Sequence, residues 1–452
     1  MSRGLAANEV DGLWGPLDGV NGKRRNGHAN KLEAADYCAH DWYRFVLSYP
    51  PHLVRDYLDR FEIGPAMTCL DPFCGTATTP VECKKLGIAS IGVESHPMPH
   101  FAGQVKTDWT PDPDELLRHA EHIAHVAKAE LAADGIKDDG TDDPDAIQLL
   151  GLRRLPDEAA SLLLTDSISP LPLHKTLVLL SKLRECSASQ YHRHELLALA
   201  KALVTVVGNL HFGPEVGVGP AKADALVVPS WLANVKVMCD DLRRLRAKWQ
   251  VPSVIIRADA REIRKVVRPN SLDVVITSPP YPNEKDYTRT TRLESVFLGL
   301  LSSKADLKAV KRGLIRSNTR NVYKGDDDDL RIASHREIQG IADEIERRRI
   351  AMKKTSGFER MYARVTRLYF GGMSRHFEDL KSVLRPGAML AYVVGDQASY
   401  LRVMIRTGQL LADIAKSIGY EVLNIDLFRT RLATATGEQL REEVVVLRWP
   451  GR

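Results

Sequence analysis

Apolar positions along this chain switch between strand-like and helix-like spacing, and each switch marks an expected element. Met67 to Leu70 reads as a strand, Thr78 to Leu86 as a helix and Ser90 to Val93 as a second strand ending at Glu94, which together make a βαβ unit. Upstream, Trp42, Phe45, Leu47, Leu53, Val54, Tyr57 and Leu58 are interrupted by Pro50-Pro51, which predicts two short helices, the second begun by proline. The strand–helix alternation then stops. From about 110 to 250 the spacing is mostly helical, including Leu177 to Leu183 and Glu195 to Val207, and an acidic tip, Asp138 to Asp145, is expected as a solvated loop. Strand signals resume at Val254 to Ile256, at Leu272 to Ile276 and, after the turn Arg385-Pro386-Gly387, at Met389 to Val394. Glu421 to Phe428 and Glu442 to Leu447, separated by a polar stretch, predict a closing antiparallel pair. The sum is an α/β chain: a Rossmann-like, mostly parallel sheet with an antiparallel terminal strand and helical insertions. No repeat of fixed period is visible.

Composition narrows the class without choosing a function. A chain of 452 residues, 44% hydrophobic and 27% charged, is expected to hold two to three domains or one large domain with insertions, and to be soluble. No apolar stretch reaches spanning length and the N-terminus lacks a secretory pattern, so a cytoplasmic protein with no membrane partner is expected. Cys38, Cys69, Cys74, Cys83, Cys186 and Cys239 form no CxxC pair, which argues against a zinc knuckle, a disulfide framework and any metal site. A net charge of +5 permits nucleic-acid binding without demanding it. Residues 1–30, rich in Gly and Asn and carrying Lys23, Arg24 and Arg25, read as a flexible tail that could touch DNA.

Chemistry concentrates in two strings. Thr277-Ser278-Pro279-Pro280-Tyr281 follows the apolar run Leu272 to Ile276, at the strand end where parallel sheets bind ligands. The two prolines stiffen the backbone and remove two amide donors, leaving carbonyls free to accept. The Ser278 hydroxyl and the Pro279 carbonyl could hold an exocyclic amino group while Tyr281 offers a flat face to a base. The bland alternative is a Pro-Pro turn ending a strand. Between the first strand and its helix lies Asp71-Pro72-Phe73-Cys74-Gly75-Thr76-Ala77-Thr78-Thr79, a small-residue turn that lets a ligand approach the backbone at Gly75. Glu94, at the end of the next strand, is placed to accept from ribose hydroxyls. Such units also bind NAD, flavins or nothing, but the loop lacks both a full GxGxxG and the Walker lysine pattern, so S-adenosylmethionine fits better.

The two strings together resemble the signature motifs of amino-group DNA methyltransferases, over roughly residues 40 to 105 and 250 to 450. The resemblance implies a class I S-adenosylmethionine-dependent methyltransferase fold, with a discontinuous catalytic domain over 31–110 and 251–452. A helical insertion at 111–250 and a basic one at 300–360 are left over for target recognition. It also implies that Pro51, within Tyr49-Pro50-Pro51, helps hold the methionine end of the cofactor, that Asp259 lies near its adenine, and that Asp71, Pro72, Phe73, Cys74, Gly75, Thr76, Thr78, Glu94 and Thr277 complete its site. Gly387 resembles the entry to the fifth strand. Ala77 departs from the pattern, standing where a second glycine is common, so that turn must tolerate a Cβ. The insertion between the second and third strands fits none of the common motif orders.

An exocyclic amine is a poor nucleophile because its lone pair is delocalised into the ring. Hydrogen bonds from both amine hydrogens to Ser278 and Pro279 would draw the nitrogen toward tetrahedral geometry for direct in-line transfer. No covalent enzyme intermediate is needed, so Cys74 is expected to pack, and the absence of any Pro-Cys pair disfavours a C5-cytosine enzyme. The base must be flipped out of the duplex. Ser278 preceded by Thr277 resembles the subgroup that modifies N4 of cytosine; N6 of adenine and RNA remain alternatives, as does a non-catalytic DNA-binding module. Double-stranded DNA is the expected partner, with a cognate restriction endonuclease or other defence proteins. Lys285, Arg289, Arg316, Arg320 and Lys324 are the expected phosphate contacts, interleaved with Asn318, Asn321 and Tyr323. For Lys304 to Arg312 a solvated helix face is the competing reading. Asp326 to Asp329 is expected to point away from phosphate. Gly213 to Gly217 and Trp231 give the 111–250 insertion its own claim to the target.

Overall fold

The computed structural model describes residues 32–44, 48–142, 151–212, 216–283, 285–432, 437 and 439–451. The expected tail, Phe45, Leu47 and residues 213–215 lie outside them. Seven strands form the central sheet: β1 (Thr68–Asp71), β2 (Ala89–Val93), β3 (Ser253–Ile256), β4 (Leu272–Thr277), β5 (Leu384–Gly395), β6 (Glu421–Leu432) and β7 (Gln439–Arg448). Their order is β3-β2-β1-β4-β5-β7-β6. The first five are parallel, and β7 runs antiparallel between β5 and β6. This is the class I methyltransferase fold. The antiparallel closing pair stands where the polar interruption predicts it.

Strand order reverses between β1 and β4, which pair directly with Cys69 opposite Val274. Ligands of open α/β sheets bind beyond the carboxyl ends of the strands at such a switch point. The Asp71 to Thr79 loop leaves β1 and the Thr277 to Tyr281 string leaves β4, so two strings some 200 residues apart in sequence emerge from adjacent strands.

Period-two alternation divides the sheet between two cores. From β4, Val274 and Ile276 face α1 (Pro51–Arg60) and α2 (Thr78–Leu86), alongside Leu53, Tyr57 and Cys83. Val275 faces the opposite side, joined by Leu272 because the register shifts between Leu272 and Val274, and there Phe377 and Tyr369 of a long helix near the C-terminal half fill the layer. Pro51 occupies the first turn of α1, where a missing N–H costs nothing. Tyr57 donates to Asp426 of β6 at 2.6 Å, and Arg60 pairs with the same carboxylate, tying α1 to the sheet edge. The turn at Gly387 sits inside β5: Leu384 pairs with Leu272 and Met389 with Val274, and the residues between bulge out.

After β2 come α3 (Pro97–Thr107), α4 (Pro113–Ala133), α5 (Pro170–Glu185), α6 (His192–Ala202) and α7 (Val227–Leu245), with a short hairpin at Leu210–Phe212 and Val216–Val218. Their apolar faces share one core with Trp42, Val81 and Met98, so the helical layer is continuous with the flank of the sheet domain. Trp231 is fully buried in that core, its indole N–H on the Glu195 carbonyl at 2.9 Å.

The acidic tip departs from its expected role as a solvated loop. Asp138 is buried and accepts from the N–H groups of Val227 and Val228 at 3.0 and 2.8 Å, capping α7. Lys175, with no exposed side-chain surface, contacts Asp142 at 2.8 Å, Asp224 at 2.5 Å and Asp138 at 3.4 Å. Asp138 and Asp142 of the tip, with Asp224, thus surround one buried ammonium, while Asp139 stays exposed. Residues 143–145 of the tip lie outside the described chain.

Between β4 and β5 run α8 (Lys304–Arg312), α9 (Arg336–Ala351) and α10 (Tyr362–Leu380); α11 (Thr407–Ile418) follows β5. Asp328, in the run expected to point away from phosphate, is buried and pairs with Arg261 at 2.6 Å and Arg375 at 3.5 Å, which locks that run onto the sheet domain.

Candidate active site

One cavity of about 650 Å³ lies beyond the carboxyl ends of β1, β2, β4 and β5. Gly75 and Ser278 both line it. Its two ends are best built separately.

At the first end the β1 loop turns back on β2. The Cys74 N–H donates to the Val93 carbonyl at 3.1 Å, and the Gly75 N–H donates to Glu94 Oε2 at 2.9 Å. Gly75 has φ +49°, a left-handed conformation open to glycine at little cost. Ala77 is also left-handed, φ +65°, so the methyl group that replaces the common second glycine is carried with real backbone strain. Glu94 accepts a second backbone bond, from His96 N–H at 2.7 Å, yet still faces the cavity. Burial pushes its carboxyl up to about 7, against the lowering pull of those backbone hydrogen bonds. An acceptor held by two main-chain amides, with lone pairs left toward an open cavity, suits a vicinal diol such as ribose. Pro72, Phe73, Cys74, Thr76, Thr78 and Asp259 also line the cavity. Burial raises the Cys74 thiol well above its ordinary range, which keeps it protonated and unsuited to attack.

Other residues of the expected cofactor set stand behind the wall. Asp71 is fully buried and does not line the cavity; it accepts from Thr277 at 2.6 Å, Tyr49 at 2.9 Å and the Phe73 N–H at 3.2 Å. Burial pushes its carboxyl up to about 6, and the hydrogen bonds from Thr277 and Tyr49 resist that shift. Asp71 and Thr277 thus pin the β1 loop to the β4 loop and present nothing to a ligand. Pro51 is buried in α1, and Ser48, Tyr49 and Pro50 supply that stretch of wall instead. Asp259 caps its own turn and grips Arg261 through both carboxylate oxygens, with contacts from 2.6 to 3.2 Å.

The second end is Ser278, Pro279, Pro280 and Tyr281. The Ser278 hydroxyl lies near enough to the Tyr281 phenol to pull its pKa down against burial, and Oγ carries lone pairs for an incoming amine. Burial, with Glu442 nearby, raises the Tyr281 phenol so that it stays neutral. The β6–β7 pair closes this end with Phe428, Arg429, Arg431 and Glu442, and Arg429 grips Glu442 at 2.6 and 3.0 Å. Sequence reasoning missed these four, because which strand face meets the cavity depends on β7 inserting beside β5.

The basic residues sort by what already holds them. Lys285 lines the cavity. Arg316 does not face a phosphate: it is buried, bound to Asp326 by two contacts of 2.8 Å and to the carbonyls of Lys311 and Arg312 at 3.1 and 3.2 Å. Lys311 is likewise paired, with Asp286 at 2.9 Å. Arg289 is half-buried and away from the cavity wall. Arg320 is half-buried over the Phe358 ring at 5.7 Å, and Lys324 is exposed. Asn318 donates to the Lys285 carbonyl at 3.0 Å, and Asn283 N–H to the Ser317 carbonyl at 3.0 Å, so the 313–318 segment lies against the catalytic string. Gly313, Leu314, Ile315 and Ser317 line the cavity, whereas no described residue of 111–250 does.

No family model matches the chain. It is 24% identical over 436 residues, 90% of this chain and 84% of the relative, to the Type II methyltransferase M.BsoBI of Geobacillus stearothermophilus. It is 29% identical over 194 residues to the Type II methyltransferase M.AvaI of Nostoc sp., covering 39% of this chain and 38% of that protein. Among solved structures, the rRNA methyltransferase aviRa from Streptomyces viridochromogenes aligns over 94% of this chain at 12% identity with a TM-score of 0.32, too loose a superposition to bear on function.

Proposed function

We propose that this protein is a site-specific DNA methyltransferase that moves a methyl group from S-adenosylmethionine to the N4 amino group of a flipped-out cytosine. The observation that carries the reading is that the Gly75–Glu94 cradle and the Ser278–Tyr281 wall share one cavity. The likeness to Type II methyltransferases along 90% of the chain supports it, and with it a role as the modification partner of a restriction endonuclease.

Glu94 would hold the ribose hydroxyls, with Gly75, Phe73 and Thr76 around the rest of the cofactor. S-adenosylmethionine supplies, when bound, a methyl group made electrophilic by a sulfonium. Ser278 Oγ and the Pro279 carbonyl accept the two amine hydrogens of the base, so that the nitrogen lone pair is released from the ring and aimed across the cavity. Tyr281 stacks on the base and offsets part of the cost of unstacking it, by about 1–3 kcal/mol. The proton that the amine loses has no strong base waiting at this end: Glu442 is engaged by Arg429 and the Tyr281 phenol stays neutral. It leaves through solvent. Exposed Lys308, Arg312 and Lys324 and half-buried Arg320 are cations that could meet phosphate near the 313–318 segment, which favours the 300–360 insertion over 111–250 as the element beside the target.

Incubating the protein with labelled S-adenosylmethionine and DNA of mixed sequence, then digesting to nucleosides, tests this. N4-methylcytosine is the expected product; label only in N6-methyladenine would move the target to adenine, and no labelled nucleoside would refute the reading.

A further inference from the structure

Of the two carboxamides in the cavity wall, Asn283 and Gln397, the second is still largely uncommitted. Gln397 follows β5, is 4% exposed and lines the cavity. Its backbone is fixed on both sides by a bridge to Ile405, the two hydrogen bonds being 3.1 and 2.7 Å. The side chain is held far less. Nε2 reaches the Gly395 carbonyl only at 3.5 Å, and Oε1 has no partner among the described residues. The other amide in this wall, Asn283, already has its Oδ1 on the Lys285 N–H at 2.9 Å. A carboxamide so placed keeps donor and acceptor capacity for a group in the cavity to complete.

Its place in the cavity is set by Gly395. A Cβ there would meet Tyr281 Cε2 at 3.0 Å and Glu442 Cγ at 3.3 Å, so the tyrosine ring lies directly against the end of β5, two residues before Gln397. Gln397 therefore belongs to the target end and not to the Glu94 end. With one Nε2 hydrogen turned to Gly395, the other is free to point into the cavity.

Resting on the function proposed above, we infer that Gln397 is a specificity-determining residue that donates Nε2–H to the ring nitrogen beside the reacting amine of the flipped base. That nitrogen is a bare acceptor in cytosine and adenine, whereas thymine and guanine carry an N–H there and would oppose the donor. The amine itself is taken by Ser278 and Pro279, so the amide reads the neighbouring atom and fixes the ring's rotation about the Tyr281 face.

The test uses the full chain and a duplex carrying the site that the wild type is found to modify. Gln397→Ala is expected to lower kcat/KM for that duplex by about ten- to a hundredfold, the range of one good base contact. The Kd for S-adenosylmethionine by calorimetry stays unchanged. Replacing the target by its deaza analogue, with C–H for the ring nitrogen, should cost the wild type a similar factor and the alanine variant nothing more. Gln397→Glu should be impaired at neutral pH and recover as pH falls and its carboxyl regains a donor. The inference is overturned if Gln397→Ala keeps the wild-type kcat/KM, if the deaza and alanine losses add, or if cofactor binding weakens in parallel. Should the wild type modify no DNA at all, the underlying reading falls and this inference with it.

Discussion

The two ends of the cavity are made of different material. At the cofactor end one carboxylate, Glu94, faces the cavity, held in place by the main-chain amides of Gly75 and His96. At the other end the polar groups are the side chains of Ser278, Tyr281 and Gln397 with the Pro279 carbonyl, backed by the Arg429–Glu442 pair. One carboxylate fixed by two main-chain amides suits a ligand that never changes. A surface that must choose one base among several needs side chains, whose donors and acceptors can be set one by one. Behind both ends Asp71 joins the two loops through Thr277 and Tyr49, which keeps the ends in register.

Substitutions should separate the ends. Ser278→Ala is expected to lower kcat by about 10²- to 10³-fold, as for loss of one preorganised partner of a transition state, with the cofactor Kd unchanged by calorimetry. A parallel loss of cofactor binding would mean that the ends are one site. Glu94→Gln should do the reverse, raising the cofactor Kd by about 10- to 100-fold, the worth of hydrogen bonds to a charged acceptor, with little change in DNA binding.

Glu94 also makes the comparison depend on pH. With its carboxyl at about 7, cofactor affinity is full above that pH and falls below it as the acceptor protonates. Stability of the ligand-free protein moves the other way. The folded state holds this proton more tightly than the unfolded chain, so the penalty is absent below the ordinary carboxyl range, grows as pH rises toward about 7 and is constant above it. Calorimetric titrations and denaturant melts across this window should show both trends in the wild type; Glu94→Gln should lose the affinity trend and keep a smaller stability trend, because Asp71 and Glu294 are buried carboxyls raised to about 6 and about 7.

The smallest effects concern DNA. Arg320→Ala and Lys324→Ala should each weaken binding uniformly and flatten the slope of log K against log salt by about 0.9, measured by fluorescence anisotropy. Arg316→Met should leave that slope alone and lower stability instead, because its guanidinium serves Asp326 and internal carbonyls.

Arg316 also illustrates what a sequence can and cannot disclose. Within the basic, poorly helical run Arg316 to Lys324, it looks like its neighbours; its partner Asp326 lies ten residues away, and only the folded turn brings them together. Asp138 and Lys175 teach the same about charge runs, since an acidic tip is solvated only if no buried cation reaches it. The βαβ unit, both loops and the closing antiparallel pair were legible because their signals are local: period-two runs, a Pro-Pro string, and a glycine with a carboxylate one strand later. Phe428, Arg429 and Glu442 were not, because their facing is decided by strand order. Asp71 and Thr277 stood in the right loops, but sequence does not distinguish a residue in a wall from one behind it.

One cavity is proposed to hold the cofactor by Glu94 and to present the target amine at Ser278. A crystal structure with S-adenosylhomocysteine and a duplex carrying the modified site addresses it most directly. The account requires ribose hydroxyls on Glu94 and an extruded base between Tyr281 and Gln397, its amino group on Ser278 Oγ and the Pro279 carbonyl. A nucleoside bound away from Glu94, or a base extruded to any other surface, would contradict it.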